Sequence, residues 1–224
     1  MATETAHFAT LMQGDFQTPR AACALDEGRD HFALLVERAR GGDATAFDQI
    51  MSETERKVVA VAWRMLGNRE DARDAAQEVF LRLYKYLDRY KPEQDFNGWL
   101  YRITINVCRD AARKRATQSA THTGRTDHAA PPEAASDDTN AEENAIHAQE
   151  RALLMNALLT LPEKQRAALV LRDLEGLTTE EVARVLHSRP VTVRSQISSA
   201  RAKLKVHCQS LLRRRKGGQG GQRV

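Results

Sequence analysis

The sequence predicts an all-α protein with two helical domains joined by a flexible linker, and three observations support this fold class. Apolar residues recur every three or four positions through residues 30–115 and 145–212, the spacing that places them on one face of an α-helix. Aromatic residues make up only 5% of the chain, so the cores must consist mainly of Leu, Val, Ile and Ala. Residues 116–144 carry Thr, Ser, Ala, Asp, Glu and Pro with almost no large apolar side chain. Such a segment cannot bury enough surface to offset its ordering entropy.

Composition limits the classes of function. The 224 residues are 42% hydrophobic and 29% charged, with a formal net charge of +4, which suits a soluble globular protein and is compatible with a polyanionic partner. Cys23, Cys108 and Cys208 stand far apart, without a Cys-x-x-Cys motif or Cys/His cluster, so we expect no zinc site, disulfide framework or cofactor. The N-terminus lacks an apolar signal segment, and no run approaches the ~20 apolar residues of a membrane span. We therefore expect a cytoplasmic protein.

The first domain, residues 30–115, is predicted to contain several helices after a loose extension over residues 1–29. Asp43 and Asn68 each follow a glycine break. Because their side chains accept hydrogen bonds from the first free amides of a helix, both are predicted to be N-caps. Pro92 then prevents the helix that Asn68 opens from continuing through the next loop.

The helix after Asn68 has an inner apolar face and an outer face whose early turns are acidic. The outer polar residues are Asp71, Asp74, Gln77 and Glu78. A solvated face of this kind is ordinary, and the same residues would also suit a docking surface. The pattern itself leaves both interpretations open.

The stretch Phe96–Arg115, FNGWLYRITINVCRDAARKR, combines an aromatic start, an amphipathic helix and a basic end. Its predicted apolar stripe consists of Trp99, Leu100, Ile103, Val107 and Ala111. Another face presents Arg102, Asn106, Arg109 and Arg113 at helical spacing. Short basic runs are common, so this face is either simply solvated or able to bind nucleic acid.

The second domain, residues 145–212, contains two Thr-x-x-Glu patterns typical of a capping box, Thr160 with Glu163 and Thr178 with Glu181. Pro190 follows a tight turn and opens a last helix, which gives the plan of a helix-turn-helix. The side chains of that helix predicted to face outward are of phosphate- and base-contacting types. They are Arg194, Ser195, Ser198, Arg201 and Lys205. A plain helical hairpin with a solvated face is the alternative.

Together these motifs resemble the bacterial sigma-70 family, specifically the small extracytoplasmic-function (ECF) group that carries only regions 2 and 4. DARDAAQEVFLRLYKYL resembles region 2.2, the Phe96–Arg115 stretch resembles regions 2.3 and 2.4, and LPEKQRAALVLRDLEGLTTEEVARVL with TVRSQISSARAKL resembles region 4. The resemblance covers about residues 30–115 and 150–206. It implies a sigma factor that binds core RNA polymerase and promoter DNA, directs initiation at a specific regulon under stress or envelope signals, and is held by an anti-sigma factor. It also implies a monomer and no enzyme activity.

The resemblance assigns expected roles to individual residues. Polymerase binding falls to Asp71, Asp74, Gln77 and Glu78. Reading and opening of the minus-ten element falls to Tyr90, Lys91, Trp99, Tyr101, Arg102, Asn106, Arg109 and Arg113, which supply stacking surfaces and a basic track. Duplex reading of the minus-thirty-five element falls to Thr192, Arg194, Ser195, Gln196, Ser198, Ser199, Arg201 and Lys205.

Some features depart from the family pattern or allow other classes. Val191 stands where such factors usually have Gly, and Gln196 and Ser199 stand where Arg is frequent. The basic Gly-rich tail, residues 213–224, lies outside the match.

A helix-turn-helix regulator with a helical sensor domain would share the C-terminal half, but would normally dimerise through a seam that is absent here. An enzyme is disfavoured because no phosphate loop, nucleophile–base pair or metal cluster is recognisable.

Overall fold

A computed structural model describes the backbone of residues 22–121 and 152–218, and the side chains of residues 31–117 and 152–210. The regular structure in these ranges is entirely helical, without strands, as the sequence predicts. The predicted linker (residues 116–144) and tail (residues 213–224) begin inside helices, which run to Thr121 and Gly218. The remainder of both, and the predicted extension up to residue 21, lie outside the described residues. The first helix begins at Ala22, earlier than predicted.

Four helices form the first domain, and each break between them has a local cause. Asp43 accepts hydrogen bonds from the amides of Thr45 (3.0 Å) and Ala46 (3.3 Å), and Asn68 accepts one from Glu70 N at 2.8 Å. Both predicted N-caps are confirmed. Gly67 ends the preceding helix with φ of 76°, a conformation that glycine adopts without strain. The helices are α1 (Ala22–Arg40), α2 (Ala44–Leu66), α3 (Arg69–Lys85) and α4 (Phe96–Thr121), with a 3₁₀ turn at Leu87–Arg89.

The core of the first domain lies where α2, α3 and α4 pack against one another, with α1 across α2. Large side chains that are fully buried include Ile50, Leu83 and Leu100. The predicted inner face of α3 is confirmed from Ala72 through Leu83, and Leu87 in the 3₁₀ turn is buried as well. This packing fixes the polar face of α3 toward solvent.

The second domain is another helical unit built around a sharp turn. Its helices are α5 (residues 152–159), α6 (Glu163–Leu169) with a π-helical turn (Val170–Leu174), α7 (Thr179–Val185) and α8 (Pro190–Gly218). His187 adopts φ of 49° in the turn between α7 and α8. The apolar residues that helical spacing places opposite the predicted outer face of α8 are all buried: Val193, Ile197, Ala200 and Leu204. The helix-turn-helix plan is thus confirmed.

One predicted capping box is confirmed and the other is wrong. At α7, Glu181 N donates to Thr178 Oγ1 (3.2 Å), and Thr178 N donates to a Glu181 carboxylate oxygen (2.6 Å). At α6 the N-cap is Pro162 without a side-chain bond, and Thr160 donates instead to the carbonyl of Ala157. The carboxylate of Glu163 has a partner elsewhere in the fold.

The buried face of α4 also differs from the predicted stripe. Leu100 and Val107 are buried as expected, whereas Trp99, Ile103 and Ala111 are only half-buried. The sequence analysis did not place Tyr101, Thr104, Ile105 and Cys108 in the interior, and all four are buried. The physical reason is that α4 packs against α2 and α3 and also against α7 of the second domain, so it buries more than one face.

Candidate nucleic-acid interface

The outer face of α8 carries most of the residues predicted to read duplex DNA. Thr192, Arg194, Ser195, Ser198, Arg201 and Lys205 are exposed. Their exposure follows from the opposite face of the helix, where four apolar side chains enter the core. A helix held by one face leaves the other free to enter a major groove.

Two arginines on this face already have partners within the second domain. Arg194 Nη2 donates to Glu180 Oε1 at 3.2 Å, and both side chains are more than half exposed. Arg201 makes two bonds to Asp173, at 2.9 and 2.7 Å. Exposed pairs contribute only about 0–1 kcal/mol. Exchanging Glu180 for a DNA phosphate or base would therefore cost Arg194 little.

Gln196 and Ser199 lie toward the inner side of α8. Both are half-buried, and Ser199 Oγ accepts a bond from Gln165 Nε2 at 3.3 Å. The Oε1 atom of Gln196 is buried without a hydrogen-bond partner among the described residues. The structure therefore does not bring these two side chains together with the exposed set.

Three of the four predicted docking residues of α3 lie along one groove beside α4. Asp74 and Gln77 are exposed, whereas Asp71 pairs with Arg115 and Glu78 pairs with Arg82. Arg82 also contacts Asp110 at 3.0 Å. Together with neighbouring side chains, these groups line a groove of about 770 Å³, in which Gln77 takes no part.

Sequence analysis missed an exposed apolar pair on the same helix. Leu81 is 62% exposed and Tyr84 is 66% exposed, and the Tyr84 ring contacts Phe47 edge-on at 5.2 Å. Leu81 follows Gln77 by one helical turn, so the two share a face. The four-residue spacing of Gln77 and Leu81 is visible in the sequence. Charged residues stand around Leu81, however, so the pattern did not reveal that Leu81 is exposed.

Tyr90 occupies an aromatic cluster rather than a groove. Its side chain is 2% exposed, its hydroxyl donates to Gln94 O at 2.9 Å, and its ring lies 5.8 Å from Phe96 and 5.3 Å from Trp99. The ring holds the loop before α4 in place. Tyr90 was expected to help read the minus-ten element, but its ring is buried here because it is more stable against two other rings than in water.

The two domains meet over the face of α4 that was predicted to bind DNA. Arg109 Nε donates to Glu163 Oε1 at 2.7 Å, and Tyr101 Oη donates to Glu175 Oε2 at 2.8 Å. Arg64 of α2 pairs with the other oxygen of Glu175. Tyr101 is only 7% exposed. The acidic partners come from the second domain, and no local sequence signal pointed to them.

A cleft of about 410 Å³ continues this contact toward the start of α4. It is lined by Trp99 and Arg102 on one side and by Glu181, Arg184 and Val185 of α7 on the other. Lys91, Asn106 and Arg113 remain exposed. Half of the predicted minus-ten set therefore faces the second domain, and these three residues face solvent.

The described residues contain no group of three or more His, Cys, Asp or Glu side chains able to hold a metal ion. Cys108 and Cys208 are buried, and burial raises the pKa of both thiols, that of Cys108 to about 12. A thiol with so high a pKa is a poor nucleophile. No helix of the described ranges is long and apolar enough to cross a membrane.

Two family models match the chain in the order of its domains. Sigma-70 region 2 matches residues 50–118, and Sigma-70, region 4, matches residues 151–204. The RNA polymerase sigma-H factor of Pseudomonas aeruginosa is 34% identical over 182 residues, covering 80% of this chain and 94% of that protein. The ECF RNA polymerase sigma-E factor of Escherichia coli K12 is 31% identical over 184 residues, covering 81% and 96%.

The chain belongs to the sigma-70 family, in its ECF group. It is a promoter-directing transcription initiation factor and not an enzyme. The sigma factor RpoE of Bartonella quintana, solved in complex with the anti-sigma factor NepR, shares the fold with a TM-score of 0.60 and 20% identity, covering 73% of this chain and 96% of that one. The first domain is hereafter region 2 and the second is region 4.

Proposed function

We propose that region 4 of this sigma factor reads the minus-thirty-five duplex through α8, while region 2 binds core RNA polymerase through α3 and reads the minus-ten strand through α4. The observation that carries this proposal is the exposed outer face of α8, held outward by the buried face opposite it. The test is transcription with purified core polymerase and this chain, followed by sequencing of the transcripts. Promoter-specific starts that require the chain are expected, and their absence would overturn the proposal.

Arg194 is the best candidate for sequence reading in region 4. It lies in the second turn of α8 and is exposed, and an Arg fork matches the two major-groove acceptors of guanine. Arg194→Ala should cost about 1–3 kcal/mol and relax preference at one base pair. Lys205, four turns along the helix, is proposed as a phosphate contact, so Lys205→Ala should weaken all duplexes equally and serves as the control. A uniform loss with Arg194→Ala would reassign it as a phosphate anchor.

Val191 adds an apolar group to the same reading surface. Its side chain is 71% exposed at the first turn of α8, one turn before Ser195. A methyl group in this position is suited to contact the C5-methyl of thymine. When the thymines of the minus-thirty-five duplex are replaced by deoxyuridine one at a time, binding should therefore weaken at one position. Val191→Ser, which removes both methyl groups, should abolish that difference, and an unchanged difference would contradict the contact.

The polymerase-binding surface proposed on α3 combines the polar residues with the apolar pair. Asp74, Gln77, Leu81 and Tyr84 are exposed in succession along one side of the helix. Exposed apolar side chains beside polar ones are typical of a protein interface. The double variants Asp74→Ala/Gln77→Ala and Leu81→Ala/Tyr84→Ala should each weaken holoenzyme assembly in a titration with core polymerase.

Arg56→Ala provides a control for that titration. Arg56 is exposed on α2, whereas all residues of the proposed docking surface lie on α3. Its removal should leave polymerase affinity unchanged. Equal affinity for the wild type and both double variants would move the docking surface away from α3.

The minus-ten strand is proposed to follow α4, where Arg102, Asn106, Arg109 and Arg113 form the track and Trp99 offers a stacking surface. Stacking or base-edge contacts are worth about 1–3 kcal/mol each. Asn106 is exposed, so Asn106→Ala should impair melting without disturbing the fold. Permanganate footprinting of the open complex measures this, and normal melting would contradict the role of Asn106. Tyr90→Ala is a poor probe because it would disrupt the aromatic cluster.

Regulation is proposed to follow the ECF group. The described relative of Bartonella quintana is bound by an anti-sigma factor, and we propose that an anti-sigma factor likewise holds this chain, as a cytoplasmic monomer, until a stress or envelope signal arrives. Adding the purified candidate to the transcription reaction should block promoter-specific starts at stoichiometric amounts. Undiminished transcription would exclude that candidate.

A further inference from the structure

The contact between the two regions is built from directional bonds and close packing. Glu175 enters region 2 with its side chain only 10% exposed, and it accepts bonds from Arg64 and from Tyr101. Glu163 accepts a bond from Arg109. Both acids belong to region 4, and all three donors belong to region 2. Charge-assisted bonds of this kind are about twice as strong as neutral ones and fix the geometry of the contact.

Further contacts beside these pairs join the same two surfaces. Arg166 of region 4 donates to the carbonyl of Met65 in region 2, as well as to the carbonyls of Leu159 and Leu161 at 2.9 and 3.0 Å. Leu159 packs against Gly67 so closely that a Cβ on Gly67 would lie 2.3 Å from Leu159 Cδ1. Because Gly67 has no side chain, Leu159 of region 4 can approach region 2 this closely. The contact is consequently a fitted surface and not a pair of isolated surface charges.

The groups engaged in this contact are those a DNA strand would need. A carboxylate on Arg109 takes the bond that a phosphate would accept, because both are oxyanions that suit an Arg guanidinium. Tyr101 Oη is also bonded, and its ring is 7% exposed. Helix α7 covers the side of α4 that carries Trp99 and Arg102. A strand and region 4 cannot occupy these atoms at the same time.

We propose that region 4 is an internal competitor of the minus-ten strand: Glu163 and Glu175 hold region 2 closed in the free chain, and the regions must separate before the strand binds. This inference rests on the role proposed above for α4. If only a fraction of molecules is open, the observed dissociation constant is the intrinsic one divided by that fraction. Weakening the contact should therefore tighten strand binding by the free chain.

The test compares two isosteric double variants of the full chain. Glu163→Gln/Glu175→Gln removes the two carboxylates that contact region 2. Asp48→Asn/Glu55→Gln removes two exposed carboxylates of α2 that lie outside the bonded pairs between the regions, so it matches the change in net charge. Anisotropy of a fluorescein-labelled single-stranded oligonucleotide of random sequence gives the affinity. Small-angle scattering gives the radius of gyration.

The contact variant should bind the oligonucleotide about fivefold or more tightly than the matched control, within the usual range for coupling between sites. Its radius of gyration should increase, and that of the control should not. Glu163→Gln alone, at a half-exposed position, should give an intermediate result and covers the possibility that the double variant folds poorly. Equal affinities and equal radii for the contact variant and the control would overturn the inference.

The same variants separate this inference from the proposed function. If the wild type directs promoter-specific transcription and the contact variant matches the control in both measurements, the internal competition is wrong and the sigma role stands. If no chain directs transcription but the radius of gyration still differs, the closed contact exists and the role of α4 in strand binding is wrong.

Discussion

The two Thr-x-x-Glu patterns of region 4 look alike in the sequence but differ in the structure, and this difference makes a quantitative prediction. Thr178 Oγ1 accepts the Glu181 amide at 3.2 Å, and the Glu181 carboxylate accepts from Thr178 N at 2.6 Å and Oγ1 at 2.8 Å. Thr178→Ala removes the hydroxyl and leaves the Glu181 amide without a protein partner. Replacing a Thr N-cap by Ala typically costs about 1 kcal/mol. The equilibrium constant for local opening of α7 should therefore rise about fivefold.

Amide hydrogen exchange of the full chain measures this opening directly. Peptides covering α7 should exchange about fivefold faster in Thr178→Ala, because exchange reports the free energy of local opening. Thr160→Ala is the matched control. It removes a bond from an exposed hydroxyl to the carbonyl of Ala157, not a cap. Its effect on α6 should stay below about twofold, as for most surface changes. An equal or larger acceleration of α6 by Thr160→Ala would refute the assignment of the caps.

Three further predictions concern stability and reactivity. Leu83 is fully buried, so Leu83→Ala should lower the free energy of unfolding by about 2–5 kcal/mol. Leu81 is 62% exposed, so Leu81→Ala should change it by no more than about 0.5 kcal/mol. Denaturant unfolding followed by tryptophan fluorescence measures both. A hydrogen bond from Thr45 lowers the pKa of Asp43 to about 2. The Asp43 carboxylate therefore stabilises the folded chain fully above its unfolded pKa of about 4, and this stabilisation disappears as the pH falls through 2. In acid unfolding, the difference in stability between the wild type and Asp43→Asn should shrink over that pH range. Cys108 should resist iodoacetamide at pH 8 until the chain is unfolded, as mass spectrometry of the alkylated peptide would show.

Features that depend on neighbouring residues in the chain could be predicted from the sequence. Asp43, Asn68 and Thr178 cap their helices as predicted, because a cap needs only a short polar side chain and the amides two or three positions later. The four inward residues of α8 follow in the same way from helical spacing. Local chemistry thus accounts for the type and order of these elements.

Features that depend on the other domain could not be predicted in this way. Glu163 has the position of a capping-box acid, but Arg109, 54 residues earlier, provides a charged partner that the cap does not. Tyr101 was assigned to the minus-ten strand as a stacking residue, yet its hydroxyl donates to Glu175 and its ring is buried. Both placements have one cause, since the contact between the regions competes with the local preference of each residue.

The two DNA-reading surfaces differ in their availability, and this difference implies an order of events. In the closed arrangement the outer face of α8 is exposed, with Arg194 held only by a pair of half-exposed groups. Tyr101 and Arg109 of α4 are covered or paired by region 4. Contact with a duplex through α8 therefore requires no separation of the regions, whereas strand reading through α4 does. Given the roles proposed for these helices, recognition of the duplex can precede opening of the protein, but capture of the melted strand cannot.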